Sequence, residues 1–354
     1  MKIALVLPGS IWYAPYVRIY TRILDEQKVD YSIISWNREG DDKAEGFQYN
    51  VRCENGHGSA GLNAYRGYIR FIKHTVRIQG YDKLIVFGPQ MTCLLSQFLL
   101  LNYRHRFMID YRDLSIEQKP GFKQLFSLML RFSCVNVISS PGFKRVLPKG
   151  HTYYLSHNFD VDAVRRALYE GTADKPGDNP ITVLTIGGIR DYSSNIEVVK
   201  ALANKDGFRI QFVGKGGAAA QLKAYADEHH IHNIEFEGYY PKEKEAEYVK
   251  AATFLNIFYP RIITHDTALS NRFYNSLIFK RPMIVTKDTA QGDYVEKYGV
   301  GVAVKDCCQL NEKLAEFLLT DPEKYKQRCN ELLRIFLKDQ EGFERKMVDF
   351  IFNL

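Results

Sequence analysis

The chain has 354 residues, enough for two domains of ordinary size. Hydrophobic residues make up 45% and charged residues 25%, which excludes wholesale disorder, and no apolar run approaches the ~18 residues of a membrane-spanning helix. The net charge of +7 is unevenly placed: residues 1–150 hold 21 Lys and Arg against 12 Asp and Glu, and the remainder 27 against 29. A basic first part implies an anionic neighbour, whether phosphorylated substrate, nucleic acid or membrane surface. Six cysteines without a C-x-x-C argue against a disulfide framework and a zinc site, and point to a reducing cytosol.

The opening MKIALVLPGS reads as a strand and its turn, since its apolar run is too short for a leader. Further strand-like runs follow at 31–36, 83–88, 106–111, 135–140 and 152–158. A second series occupies 181–188, 209–216, 234–239, 253–258, 282–288 and 301–305. Amphipathic stretches such as 14–26, 67–78, 195–204 and 219–229 lie between them. Continuous apolar strands alternating with helices mean α/β architecture, with parallel sheets covered on both faces. The polar segment 160–180 reads as a linker, so two doubly wound domains facing one cleft are expected. Ligands of such sheets sit beyond the carboxyl ends of the strands. The segment 119–137 predicts a helix apolar nearly all round, to be buried or to touch lipid.

The strand ends carry the candidate chemistry. Gly9 and Ser10, Gly187 and Gly188, and Gly214 and Lys215 lie where backbone can approach a phosphate closely. Arg190 follows the second pair and suits a diphosphate, unless it pairs at the surface with Asp191. In 264–288, Ser270 or Thr267 can cap a helix from Asn271 to Phe279 that ends before Pro282. Arg272 then sits in its first turn, where a cation opposes the helix dipole unless an anion shares the site. Asp110, Arg112 and Asp113 cluster after 106–111, fit to orient a hydroxyl, to bind a lipid diphosphate or to form an ion-paired loop. His57 lies in a glycine-rich loop, and His229, His230 and His232 read as surface.

NRFYNSLIFKRPMIV resembles the N-K-x-x-E-x-x-x-x-G-K-P-V-I-V segment of family-four retaining glycosyltransferases of bacterial surface polysaccharide synthesis. KYGVGVAV, VLTIGGIRDYSSNIEVVKAL, YLSHNFDVDAV, FMIDYRDLSIE and PGSIWYAPYVRIYTRIL resemble that family's sequences in the same order. The departures are specific. The family's Glu-x7-Glu pattern is replaced by Thr267 and Asn275, and Gly188 stands where the family has the Arg of its G-R-L-x-x-x-K-G motif.

The resemblance implies a GT-B fold: an acceptor domain over 1–165 and a nucleotide-sugar domain over 166–354, with the last helix, about 340–354, returning to the first domain. It implies donor contacts from Gly9, Ser10, Gly187, Gly188, Arg190, Gly214, Lys215, Ser270, Asn271, Arg272 and Asn275. Arg18, His57 and Arg112 fall on the acceptor side, and Asp110, Asp113, Arg190 and Arg272 are the catalytic candidates. The implied reaction is retaining sugar transfer without metal or cofactor, from a UDP-sugar or, second, a GDP-sugar. The acceptor would be a saccharide, lipid-linked, reached from the cytoplasm at the anionic inner face of the membrane. The missing carboxylates leave an inactive relative, binding a nucleotide sugar or serving as a scaffold, as the alternative. Nucleic acid is not an expected partner, for lack of aromatic–basic interleaving.

Overall fold

Alternating apolar strands and amphipathic helices build two parallel sheets. The structure, a computed structural model, describes residues 1–38, 46–52, 61–169 and 180–353. The first sheet contains β1 (Lys2–Val6), β2 (Asp30–Trp36), β3 (Phe47–Tyr49), β4 (Lys83–Phe87), β5 (Phe107–Tyr111), β6 (Val135–Ile138) and β7 (Tyr154–Leu155). Their order is β3-β2-β1-β4-β5-β6-β7. β4, β5 and β6 are buried at every position, as continuous apolar runs require of strands covered on both faces.

The second sheet contains β8 (Ile181–Ile186), β9 (Phe208–Val213), β10 (Ile234–Glu237), β11 (Phe254–Ile257), β12 (Met283–Thr286) and β13 (Gly301–Val304). Their order is β10-β9-β8-β11-β12-β13. Alternation along β8 sends Leu184 and Ile186 into one core layer and Val183 into the other. In each sheet the order reverses once, between β1 and β4 and between β8 and β11. At such a reversal the connections leave to opposite sides, and a crevice opens beyond the carboxyl ends of the strands.

The chain divides into two units, Met1–Asn158 with Asp339–Leu354, and Phe159–Lys338. The sequence reading places the division near residue 165. The units change over earlier because the helix Val161–Tyr169 packs Val164 and Ala167 into the core of the second unit. Residues 170–179 of the expected linker lie outside the described residues. The final helix, Pro322–Phe352, serves both units in turn. Tyr325, Cys329, Leu332, Leu333 and Phe336 join the core of the second, and Phe343, Met347, Phe350 and Ile351 that of the first.

One strand is not foreseen in the sequence and two local expectations are corrected. β3 is a half-buried edge strand of three residues, too short to show as a run. Of 152–158 only Tyr154 and Leu155 pair, as the opposite edge. The apolar helix, Phe122–Phe132, buries Phe126, Met129 and Leu130 but exposes Phe122 and Leu128, so its burial is one-sided.

Candidate functional site

β8 ends at Ile186, and the chain turns through Gly187 and Gly188 before the helix Tyr192–Leu202. Gly187 has φ +94°, in the left-handed region that favours glycine. A Cβ on Gly188 would stand 3.2 Å from Arg190 Nε, so the bare backbone lets Arg190 fold across the turn. Arg190 is exposed and forms no ion pair among the described residues, so the pairing with Asp191 is not observed. Gly214 and Gly216 do something else. A Cβ on either would collide with the backbone of Gly187 or Ile189. They are the clearance that lets the end of β9 pack on the β8 turn. Lys215 stands over the Tyr239 ring at 5.5 Å.

The helix Asn271–Ile278 begins at Ser270, whose Oγ accepts from Phe273 N at 3.3 Å and donates to Gln291 Oε1 at 2.7 Å. Thr267 is not the cap; it is buried and its Oγ1 donates to Ile263 O at 2.8 Å. Arg272 lies in the first turn, as the sequence places it. Its Nε donates to Ile186 O, its Nη2 to Gly188 O at 2.9 Å and its Nη1 to Asn256 O at 3.4 Å. Carbonyl oxygens at and just beyond the end of β8 and in β11 thus offset the dipole conflict that sequence reasoning assigned to a bound anion. The guanidinium keeps further N–H groups for a ligand.

Asn275, one turn on, donates to Glu245 Oε1 at 2.7 Å. Glu245 opens the helix Glu245–Ala251, and its side chain is only 14% exposed. It also accepts from Tyr240 Oη at 2.8 Å and from Lys242 Nζ at 2.6 Å. Burial alone would raise its carboxyl; the bonds from Lys242, Tyr240 and Asn275 outweigh that and hold it below the usual value. The Tyr240 phenol is pushed up, by burial first and by Glu245 second. Sequence reasoning missed Glu245, because KEKEAEYVK reads as a solvated helix face.

These groups line one cavity of about 460 Å³ in the second unit, at the β8/β11 reversal. Of the expected donor residues, Gly187, Gly188, Arg190, Ser270, Asn271, Arg272 and Asn275 line it, joined by Tyr240, Lys242, Glu245, Tyr259 and His265. The volume suits a nucleotide-sized ligand. Two guanidiniums beside a helix N-terminus suit phosphate, and a carboxylate held at the wall suits hydroxyl groups. Among the described residues no group of three or more His, Cys, Asp or Glu could hold a metal ion, and no helix is long and apolar enough to cross a membrane.

The chain is similar in structure to the sucrose-phosphate synthase of Thermosynechococcus elongatus, with TM-score 0.71, 14% identity and 99% of this chain and 98% of that one covered. It is also similar to Anabaena HepE solved with UDP-glucose, with TM-score 0.66, 12% identity and full coverage of both chains. A glycosyltransferase of Rickettsia africae matches with TM-score 0.68 and 12% identity over 100% of this chain and 99% of that one. The fold is GT-B. No protein-family model matches the chain, and no curated protein matches it by sequence. A fold carries many activities, so the GT-B likeness leaves function to be argued from the site.

The remaining candidates lie in the first unit of the GT-B fold. Asp110 is fully buried and takes bonds from Arg112 Nε at 2.9 Å, Arg112 Nη2 at 2.9 Å and Tyr20 Oη at 2.5 Å. Arg112 also donates to Ser156 O at 3.1 Å and Ser156 Oγ at 3.0 Å. Burial works against the Arg112 charge, but Asp110 outweighs it and raises its pKa. This corrects the expectation of a ligand-facing pair: Asp110 and Arg112 are spent on each other at the end of β5, a buried ion pair whose geometry meets its desolvation. Asp113 beside them is exposed at the surface, though its dense surroundings raise its carboxyl. Gly9 O accepts from Trp36 N, Ser10 Oγ from Trp12 N, and Arg18 is exposed on the helix Val17–Glu26. His57 lies outside the described residues.

Proposed function

We propose that this protein is a retaining, metal-independent glycosyltransferase that takes a sugar from a UDP-sugar, or secondarily a GDP-sugar. The observation that carries this is the cavity at the β8/β11 reversal, where Arg190, Arg272, a helix N-terminus and the Glu245 carboxylate converge. Arg272, oriented by its carbonyl partners, and Arg190 would hold the diphosphate and stabilise it as it leaves. Glu245 and Asn275 would meet sugar or ribose hydroxyls, so a carboxylate is present although position 275 has none. Anabaena HepE, solved with UDP and with UDP-glucose, and the E. coli trehalose-6-phosphate structure bound with UDP-2-fluoro glucose support the nucleotide. By the sequence resemblance, the acceptor is a lipid-linked saccharide of bacterial surface polysaccharide synthesis, met at the cytoplasmic membrane face. In that scheme the leaving phosphate takes the proton of the incoming hydroxyl, and no protein base is required.

The test is a thermal-shift series with UDP, GDP, UMP and their sugar conjugates, because a ligand that binds only the folded state raises its melting temperature. UDP or UDP-sugars should give the largest shift, and slow release of UDP from one sugar nucleotide should follow. No shift with any nucleoside diphosphate would overturn the reading.

A further inference from the structure

We infer that Asn256 is a positioning residue for the cavity at the β8/β11 reversal: its amide fixes the two backbone segments against which Arg190 and Arg272 are set. The inference rests on the function proposed above and deepens it. The side chains it concerns, Thr185, Asn195 and Asn256, do not themselves line the cavity.

β8 and β11 pair Val183 with Phe254 and Leu184 with Leu255. The next positions along are Thr185 and Asn256, and alternation sets both on the face of Val183 and Phe254. Thr185 and Asn256 are each 1% exposed, and Asn195, on the helix Tyr192–Leu202, is 6% exposed. The core layer on that face is apolar, with Val183, Ile196, Val199, Phe254 and Phe258 in it. A polar triad therefore stands inside an apolar layer, where the order of the sheet reverses.

Both amides are used at each end. Asn256 Nδ2 donates to Thr185 Oγ1 at 2.9 Å and to Asn195 Oδ1 at 3.1 Å, and its Oδ1 accepts from Phe258 N at 3.1 Å. Asn195 Nδ2 donates on to Asp191 O at 2.5 Å. Asp191 precedes the helix without a side-chain cap bond of its own, and Arg190 is its neighbour in the chain. The bond from Asn195 thus anchors the turn that carries Arg190. On the other side, the backbone O of Asn256 accepts from Arg272 Nη1 at 3.4 Å. Phe258 leads into Tyr259, whose ring centre lies 5.8 Å from the Arg272 guanidinium. One buried residue refers both cations to the same point.

Stability does not account for the triad. A buried hydrogen bond contributes little net, and apolar groups of the same shape can replace both partners at almost no cost. What apolar packing lacks is direction, whereas a satisfied network fixes distances and angles. Sugar transfer from a diphosphate needs that precision, because a misplacement of about 1 Å can cost about a hundredfold in rate.

The experiment compares the wild type with Asn256→Leu and with a combined variant, Thr185→Val, Asn195→Leu and Asn256→Leu, in which the whole triad becomes apolar. The combined variant should melt within about 5 °C of the wild type. Calorimetric titration with UDP separates affinity from the number of competent sites. Both variants should bind UDP about tenfold more weakly at an unchanged number of sites. A merely structural role would lower the number of sites and leave the affinity as it was. In a background of Arg190→Ala with Arg272→Ala, Asn256→Leu should weaken UDP by less than about twofold, because the cations it positions are gone. Wild-type affinity in the combined variant overturns the inference, as does an equal loss in the background without the arginines. If the wild type binds no nucleoside diphosphate, the proposed function fails, and a crystal structure of the combined variant decides the positioning without a ligand. There Asp191 O and the Arg272 guanidinium should each shift by about 1 Å or more. Finding both in their wild-type places would overturn the inference.

Discussion

Arg272 and Glu245 show what a single side chain reveals and what it hides. Arg272 was legible because its cap, Ser270, lies two residues away in the chain, so the motif and the geometry coincide. Its carbonyl partners were not legible, since they come from Ile186, Gly188 and Asn256. They change the expectation for Arg272→Ala. Helix-dipole reasoning alone favours removing the cation, yet three carbonyls would lose their donor, so stability should fall by about 1–3 kcal/mol. UDP affinity should fall by roughly tenfold to a hundredfold, the value of one charged hydrogen bond; calorimetry with UDP and a urea melt separate the two effects. Glu245 was illegible because Asn275, thirty residues away, reaches it only through the fold. The pair makes a sharper prediction. Asn275→Glu would set a second carboxylate against one already held ionised by Lys242 and Tyr240. It should therefore destabilise the protein at pH 7 by about 1–3 kcal/mol. The loss should shrink as pH falls into the carboxylate range, where one of the two takes up a proton. Adding Glu245→Gln to Asn275→Glu should restore stability and UDP binding toward wild type in a double-mutant cycle. Additive losses would show that the two side chains do not share a site.

At the scale of elements, the central strands could be read directly because a parallel strand covered on both faces must be largely apolar, as KLIVF and FMIDY are apart from one charged residue each, Lys83 and Asp110. The edge strands β3 and β7 could not, because a half-buried segment of two or three residues has no period to show. The glycines after β9 have a packing role that the sequence does not distinguish: near a phosphate or near another backbone, glycine looks the same in sequence. Gly216→Ala would drive its Cβ into the backbone of Ile189 and displace the turn that carries Gly187, Gly188 and Arg190. It should cost about 1–3 kcal/mol of stability and weaken UDP binding, although residue 216 does not line the cavity. Gly217→Ala is the control, one residue on, at the start of the helix Gly217–Glu228 and with open space around its Cβ position. It should be neutral or stabilising by up to about 1 kcal/mol. Equal behaviour of the two variants in thermal melts and UDP titrations would remove the packing account of Gly216.

For the molecule as a whole, the repeated strand–helix series announced two sheets and the resemblance had a last helix, about 340–354, return to the first domain. Neither showed that this helix is one with the helix from Pro322 that completes the second core. In Pro322–Phe352 the apolar pattern lapses over KDQEG, 338–342, where the unit changes, but the helix itself runs on without a break. Phe343, Met347, Phe350 and Ile351 are essentially without exposed surface in the first unit. Lys83 Nζ donates to Phe350 O at 2.6 Å and Ile351 O at 3.1 Å, closing carbonyls that the helix end leaves open. Burying four such side chains is worth roughly 6–12 kcal/mol, comparable with the whole stability of an ordinary domain, about 5–15 kcal/mol. A chain ended at Lys338 should therefore lose the folding of the first unit and keep that of the second. Limited trypsin digestion should degrade residues 1–158 and leave a resistant fragment spanning 159–338. Calorimetry should show one surviving transition, and, if the cavity at the β8/β11 reversal takes UDP, UDP should still raise it, because every residue lining that cavity lies in the second unit. Persistence of two cooperative transitions would mean that the first unit folds without its last helix. Loss of both would mean that the second depends on the first. Either result would break the link between the path of one helix and the separate stability of the second unit.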